Sequence, residues 1–218
     1  PYYVRVTRDG NPEAGHLRTL ANDGPTLDER NIIDGGFLDL VRLGIKPADD
    51  EVMLNSVTEV DDTIRVDVEG NPGFYRYNGD GYGERGRGDP GAPWSVEHKG
   101  KGRLWPLLTG ERGEYELRLD DPVIEPETCL RAMEHFANSG RMLPEQVWDR
   151  EHATDYNWEF GQGTGGATPL AWSMAQYIRL AHCVSAGTPV ETPAFVHERY
   201  RERELNEPDR SPALRVDT

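Results

Sequence analysis

A carboxylate between proline and glutamine is the first group in this sequence that could do chemistry. Glu145 lies in the segment 142–149, which follows a predicted helix ending near Gly140 and also contains Trp148. A fixed carboxylate can act as a general base, and an aromatic wall beside it can stack on a pyranose face. The segment is therefore typical of a sugar-cleaving site. A glutamate in a solvated loop is the alternative interpretation.

A second candidate segment, residues 75–84, places an arginine among tyrosines and follows them with glycines and acidic residues. Arg76, Tyr77 and Asp80 supply hydrogen-bond donors and acceptors on a backbone that glycine leaves free to approach a ligand. This combination suits hydrogen bonding to several hydroxyls of a neutral polyol. For Arg76, a purely structural ion pair is the alternative.

The third candidate is Trp105, in the segment 102–108 at the entry to a predicted helix. Its indole ring fits two roles, a platform for a sugar ring or a buried anchor at the helix N-terminus. The three candidate segments lie in loops of successive predicted helices, and their joint occurrence favours a carbohydrate site.

The elements that must position these residues are mostly helical by their apolar spacing. Five helices are predicted. The first runs from an N-cap at Thr26 or Asp28 to Gly44, and the second follows a cap at Asp49 or Asp50. The third covers residues 104–117, the fourth runs from Pro126 to Gly140, and the fifth runs from an N-cap at Thr168, with Pro169 at the first position, to Gly187.

Extended structure is predicted at two places, a strand over residues 2–6 and a β-hairpin of residues 63–68 and 74–77 around a turn at 69–73. Residues 78–102 are rich in glycine and predict a long loop without regular structure. From Glu191 onward the chain is polar, which predicts a surface tail.

Helices separated by long loops that carry glycine, tryptophan and carboxylates favour a helical toroid. In such a fold, antiparallel helices form the wall and the loops at one end form the site. A four-helix bundle expects connections of about 2 to 8 residues, which are shorter than the predicted loops.

Composition excludes several function classes. The 218 residues carry 39 Asp and Glu against 24 Lys and Arg, a formal charge of −15. This charge excludes a basic nucleic-acid groove and disfavours anionic membranes. No apolar run approaches the roughly 20 residues of a membrane helix, which predicts a soluble chain, either cytoplasmic or secreted.

Only three basic residues are lysines; acid excess with little lysine predicts a host with high salt.

Metal and thiol chemistry have little support in the sequence. The six histidines show no spacing typical of zinc ligands, so no metal site and no cofactor are predicted. Calcium at acidic pairs such as Asp61–Asp62 or Asp120–Asp121 is left open. Cys129 and Cys183 lie in predicted helices and are expected to be reduced core residues.

Six segments together resemble the prokaryotic glucoamylases and glucodextranases of glycoside hydrolase family 15. They follow the family's order, and one of them reads Pro144-Glu145-Gln146-Val147-Trp148-Asp149. The resemblance covers residues 1 to about 200, and its segments are 28–31, 36–45, 76–83, 102–113, 144–149 and 167–173.

The resemblance implies an all-α (α/α)6 toroid that releases β-D-glucose from non-reducing ends of α-glucans with inversion. By similarity, Glu145 corresponds to the general base that activates water. Arg76 corresponds to an arginine that binds sugar hydroxyls, and Trp105 to a tryptophan that stacks near the cleavage point. Tyr77, Asp80 and Gln146 are implied as neighbouring substrate-binding residues. No organic cofactor is implied.

The chain departs from the family because the loop with the general acid lies upstream of the segment that matches residues 2–6. We expect residues 1–200 to supply roughly the C-terminal half of the toroid, with a small β-hairpin insertion, and residues 201–218 to form a polar tail. The expected partners are a neutral α-glucan and the missing N-terminal half. A lone chain, whether fragment or separate subunit, is expected to be inactive, and its open seam could make it self-associate.

Three alternatives stay open at this point. The same family includes glucodextranases and trehalases, so the linkage that is cleaved could differ. A non-catalytic sugar-binding module that kept Arg76 and Trp105 is a second alternative, and a structural helical domain without sugar affinity is the third.

Overall fold

The computed structural model describes residues 1–86, 90–152 and 154–206, with side chains as far as residue 200. Within these residues the chain forms six α-helices: α1 (Leu38–Arg42), α2 (Glu51–Ile64), α3 (Pro106–Glu116), α4 (Pro126–His135), α5 (Ala171–Ala186) and α6 (Ala194–Asn206). The strands pair as three antiparallel hairpins: β1 (Leu17–Thr19) with β2 (Thr26–Asp28), β3 (Arg65–Val68) with β4 (Asn71–Phe74), and β5 (Glu84–Arg85) with β6 (Gly100–Lys101).

Helix α2 begins where its sequence predicts. The side chain of Asp50 accepts hydrogen bonds from the N–H groups of Val52 and Met53 at 3.0 and 3.3 Å, which satisfies two donors of the first turn. Met53 and Val57 are buried, as the apolar spacing predicts. Local capping chemistry therefore fixes this helix.

The predicted β-hairpin is present, with a tighter turn than expected. Arg65 pairs with Phe74 and Val68 pairs with Asn71, so that the turn consists of Glu69 and Gly70 alone. Both have positive φ, 53° and 79°, the backbone conformation of a type I′ turn, which matches the twist of the strands. The predicted strand over 74–77 is correspondingly displaced toward the turn.

The predicted helix from Thr26 or Asp28 to Gly44 is wrong. Asp28 does act as a cap, but of a single 3-10 turn, Glu29–Asn31, by accepting the N–H of Arg30 at 2.9 Å. Helix α1 then covers only five residues. The predicted strand over 2–6 is also absent from the described structure, where the Arg5 N–H bonds to the Ile32 carbonyl instead.

The start of α5 also differs from its prediction. Thr168 and Pro169 precede the helix, and Leu170 occupies the cap position. The reason is a long-range pairing: the Leu170 N–H donates to the Leu143 carbonyl at 2.9 Å, and the Glu145 N–H donates to the Ala167 carbonyl at 2.8 Å. Gly187 ends α5 with φ 68°, as predicted.

The region after Glu191, predicted as a polar tail, contains a helix. Residues 194–206 form helix α6, so the predicted polar tail is helical at its beginning. The rest of the predicted tail, residues 207–218, lies outside the described residues. No helix in the described ranges is long and apolar enough to cross a membrane.

Helix α3 occupies the centre and packs against α4 and α5. Gly110 permits this contact, because a Cβ there would lie 2.5 Å from Gln176 and 2.9 Å from Met133. Cys129 and Cys183 are buried and free, as the sequence predicts. Since Trp105 immediately precedes α3, the tightly packed helix fixes where its ring lies.

Candidate active site

The segment that carries Glu145 is the middle one of three extended segments. On one side, the Val147 N–H donates to the Leu104 carbonyl at 2.8 Å. On the other, Trp148 donates to the Gln162 carbonyl at 2.8 Å. Bridges of β type join Val147 to both neighbours. The segment is therefore held on both edges, and Glu145 itself is buried, so the interpretation of it as a solvated loop residue is wrong.

The carboxylate of Glu145 lies in a restricted environment and the residue is 9% exposed. Its Oε2 accepts the Ala167 N–H at 3.3 Å, and Gly166 approaches so closely that a Cβ there would lie 2.9 Å from Oε2. Burial and then the charge of Glu145 raise the pKa of Tyr82 above its ordinary value, which places the Tyr82 hydroxyl near this carboxylate. The Ala167 N–H thus orients the carboxylate.

Arg76 forms the ion pair that the sequence left open as an alternative. Its Nε and Nη2 donate to the two carboxylate oxygens of Asp80 at 2.7 and 2.9 Å. Asp80 Oδ1 also accepts the Tyr82 N–H at 3.0 Å. The Nη1 of Arg76 forms no hydrogen bond within the described part of the chain, and the side chain is 33% exposed. Arg76 is therefore held by Asp80 with donor capacity left for a ligand.

The indole of Trp105 lies beside Arg76, whose guanidinium carbon is 4.9 Å from the ring centroid. Trp105 is 4% exposed, and its Nε1 is buried without a hydrogen-bond partner in the ranges described above. Trp172, at the start of α5, meets it edge-on with centroids 6.5 Å apart and is 59% exposed. Trp105 thus forms a buried wall, and Trp172 presents the open indole.

Tyr77 and Gln146, which the resemblance implies as substrate-binding residues, are both buried, like Trp105. Tyr77 is 7% exposed, packs beside Ile32 and has a raised pKa because of burial and the Asp80 charge. The amide of Gln146 is used at both ends: its oxygen accepts the Arg103 N–H at 2.6 Å, and its nitrogen donates to the Tyr82 carbonyl at 3.1 Å. Both residues support their neighbours in the site.

The structure brings Glu145, Arg76, Asp80 and Trp105 to one region, connected through Tyr82. Its ring lies 6.3 Å from Trp105 and 5.2 Å from the Arg76 guanidinium carbon. Sequence reasoning assigned no role to Tyr82, Ala167 or Trp172, although all three stand in segments that resemble the family. The resembling segments were the signal that could have found them.

Asp61, a member of one acidic pair left open for calcium, is bound by an arginine. Both oxygens of Asp61 accept from Arg112, at 2.6 and 2.9 Å. Over residues 1–86, 90–152 and 154–206, no group of three or more His, Cys, Asp and Glu side chains is arranged to hold a metal ion.

Comparison with known proteins places the chain in a family. The sequence model of Glycosyl hydrolases family 15 matches residues 2–182. A glucoamylase of Clostridium sp. (strain G0005) is 41% identical over 199 residues, which are 91% of this chain and 26% of that protein. The chain thus spans about a quarter of that relative.

Comparison with solved structures agrees with this family assignment. A bacterial glucoamylase complexed with acarbose superimposes with a TM-score of 0.80 and 40% identity, over 91% of this chain and 27% of that one. A variant of a glycosidase, at 24% identity and a TM-score of 0.50, covers 78% of this chain and shows the fold alone. The expected fold class, part of an (α/α)6 toroid with a small hairpin, is confirmed. The chain is a member of glycosyl hydrolases family 15.

Proposed function

We propose that this chain is the part of an inverting, exo-acting glucan α-glucosidase that carries the general base, Glu145. The observation that supports it most is the setting of that carboxylate. It is nearly buried, oriented by the Ala167 N–H, close to Tyr82, and framed on both edges by hydrogen-bonded backbone. A general base needs such a fixed position toward the water that it deprotonates.

In the proposed reaction, Glu145 takes a proton from a water molecule as the water oxygen bonds to the anomeric carbon. The bond from that carbon to the glycosidic oxygen breaks on the opposite face, and a second carboxyl group protonates the leaving oxygen. The product is β-D-glucose. Inversion needs the two carboxyl groups roughly 6.5 to 9.5 Å apart, so that the water fits between base and sugar.

The substrate in this proposal is a neutral α-glucan or maltooligosaccharide. Arg76 has donor capacity beyond its ion pair with Asp80, and the indole of Trp172 offers an open apolar face. These groups suit sugar hydroxyls and a pyranose face. The net charge of −15 then reflects solvent rather than ligand recognition. Since both glucoamylase relatives align over 91% of this chain, we favour this activity over glucodextranase or trehalase.

The general acid in this proposal comes from a preceding part of the toroid. The relatives are about four times as long as the matched segment, so their remaining length can include the segment with the general acid. On this account the isolated chain is inactive. Its exposed apolar side chains, such as Ile178 on α5 and Phe195 on α6, favour self-association when the missing half is absent.

Glucose release from maltooligosaccharides by the full-length protein tests this proposal. Glu145→Gln keeps the shape and removes the base, so we expect turnover to fall by about 10²- to 10⁴-fold. Glu97→Gln, at an exposed loop carboxylate, is the matched control and should leave turnover unchanged. Turnover of Glu145→Gln within tenfold of wild type would reject the base assignment and favour a sugar-binding module without catalysis.

A further inference from the structure

We propose that Arg103 is a positioning residue for Glu145, because it ties the glycine-rich loop 84–101 to the segment 145–149. This inference rests on the proposed role of Glu145 as the base. It assigns a function to a buried charge cluster formed by Arg103, Glu84 and Asp149.

The guanidinium of Arg103 is completely buried between two carboxylates. Its Nη1 donates to Asp149 Oδ1 at 2.6 Å, and its Nη2 donates to Glu84 Oε1. All three side chains have no exposed surface. The guanidinium carbon also lies 4.4 Å from the ring centroid of Trp148. One planar side chain therefore connects two segments that are distant in sequence.

The backbone of Arg103 reaches the same segment directly beside the base. Its N–H donates to Gln146 Oε1 at 2.6 Å, and the carbonyl of Leu104 accepts the Val147 N–H at 2.8 Å. Contacts from residues 103–104 thus hold positions 146, 147 and 149. Because Glu145 is the next residue in this extended segment, a shift of Gln146 moves its carboxylate.

On the other side, Glu84 closes the glycine-rich loop. Its Oε2 accepts the Gly91 N–H at 2.8 Å, and Glu84 pairs with Lys101 in the β5–β6 hairpin. The Arg85 N–H donates to the Ala92 carbonyl at 2.8 Å. These contacts of Glu84 and Arg85 therefore determine where Glu84 meets Arg103.

The cluster is close to neutral as a whole. Asp149 Oδ2 also accepts the Tyr75 hydroxyl and the Arg150 Nη1, the latter at 3.0 Å. Two guanidinium groups thus balance two carboxylates. Burial raises the pKa of Tyr75 to about 12, with help from the Asp149 charge. Removing one member would leave an unpaired buried charge, so the arrangement has a single favourable geometry.

Arg112 provides a matched control inside the same molecule. It is also buried, 1% exposed, and it also bridges two carboxylates, those of Asp61 and Glu116. Its hydrogen-bonded carboxylates lie on α2 and α3, its guanidinium faces the ring of Phe74, and within the described residues it forms no hydrogen bond or ion pair with the segment 145–149. Loss of either arginine removes a buried guanidinium that bridges two carboxylates, but of the two only Arg103 is connected to the base.

The test compares Arg103→Lys with Arg112→Lys in the full-length protein. Lysine keeps the charge and loses the two-pronged geometry. We expect Arg103→Lys to lower kcat by about tenfold or more, since small misplacements of reacting groups cost up to about 10²-fold. KM should change by less than about threefold, because the sugar-binding groups are untouched. Arg112→Lys should keep kcat within about threefold of wild type at a similar loss of stability.

Amide hydrogen exchange supplies a readout that does not depend on activity. In Arg103→Lys, the amides of residues 146–148 should exchange faster than in wild type, and in Arg112→Lys they should not. Glu84→Gln weakens the contact between the loop and Arg103, so we expect it to lower kcat as Arg103→Lys does.

Two results would overturn the proposal: equal kcat in the two lysine variants, or unchanged exchange at residues 146–148 in Arg103→Lys. Failure of the base assignment is seen separately, as near-normal turnover in Glu145→Gln. The exchange measurement then still decides whether Arg103 holds this segment.

Discussion

The carboxylate of Glu145 accepts the backbone N–H of Ala167 at 3.3 Å, so the residue proposed as the base is held by the segment that leads into α5. The reverse contact, from the Glu145 N–H to the Ala167 carbonyl at 2.8 Å, makes the pairing reciprocal. Residues 22 positions apart thus define one side of the site.

This pairing predicts a steric requirement at Gly166. A Cβ there would lie 2.9 Å from Glu145 Oε2, so Gly166→Ala must displace the carboxylate or its own segment. We expect kcat of the full-length protein to fall by about tenfold. Gly35→Ala is the control, because a Cβ at Gly35 meets Leu38 at an ordinary 3.8 Å. Equal kcat in both variants would show that the close approach has no part in placing Glu145.

The Tyr82 hydroxyl has a predicted role of its own. Tyr82→Phe keeps the ring beside Trp105 and Arg76 and removes the hydroxyl, whose pKa the nearby Glu145 charge helps to raise. We expect kcat to fall by about three- to tenfold with little change in KM, since a polar contact between this hydroxyl and the carboxylate would be worth about 1 kcal/mol. Tyr115→Phe, which loses a buried bond to the Ala48 carbonyl away from the site, should leave kcat unchanged. A normal kcat in Tyr82→Phe would assign the orientation of Glu145 to Ala167 alone.

Stability should depend on pH through Glu111. Burial, with the charge of Asp39 as the next cause, raises the pKa of Glu111 from 4.5 to about 7. The folded state therefore binds more protons than the unfolded state between these values, and the free energy of unfolding falls as pH rises through that window. The slope from one group is at most about 1.4 kcal/mol per pH unit.

Urea unfolding between these pH values measures the contribution. Glu111→Gln should remove the slope and be more stable than wild type above pH 7. The exposed Glu97→Gln should keep the wild-type slope. A wild-type unfolding free energy that rises with pH, or a Glu111→Gln variant with an unchanged slope, would contradict this role of the partly buried carboxylate.

Salt should stabilise the protein if its composition reflects a saline host. With 39 acidic and 24 basic residues, mutual repulsion of carboxylates opposes the compact state. Raising KCl from about 0.1 M to about 2 M shortens the Debye length from about 10 Å to less than about 3 Å and suppresses that repulsion. We expect the thermal unfolding midpoint to rise over this range. A midpoint that is flat or falls in KCl would argue for an ordinary acidic protein.

Sequence patterns predicted the fold best where local chemistry decides it. Asp50 at the start of α2, Pro126 at the start of α4 and Gly187 at the end of α5 are all where capping rules place them. The start of α5 could not be read locally, because Leu170 is fixed by its bond to Leu143, 27 residues earlier. Likewise, the β5–β6 pair lies in a segment that glycine content marks as irregular, and the buried contact of Glu84 with Arg103 holds it.

In the candidate site, too, some features could be predicted from the sequence and others could not. The residue types and the family resemblance pointed to Glu145, Arg76 and Trp105, and the structure places all three in one region. Sequence could not show that Trp105 is a buried wall while Trp172 is open, because exposure depends on how α5 packs against α3. Nor could it show that Gln146 is used internally by Arg103.

Azide rescue of Glu145→Ala in the full-length protein is the decisive test of the base assignment. Azide attacks the anomeric carbon without needing a base, and the cavity left by the carboxylate admits it. We expect an inactive variant whose activity rises with azide concentration and whose product, identified by NMR, is β-D-glucosyl azide. Wild-type-like glucose release without azide, or formation of the α-azide, would contradict the assignment of Glu145 as the base of an inverting enzyme.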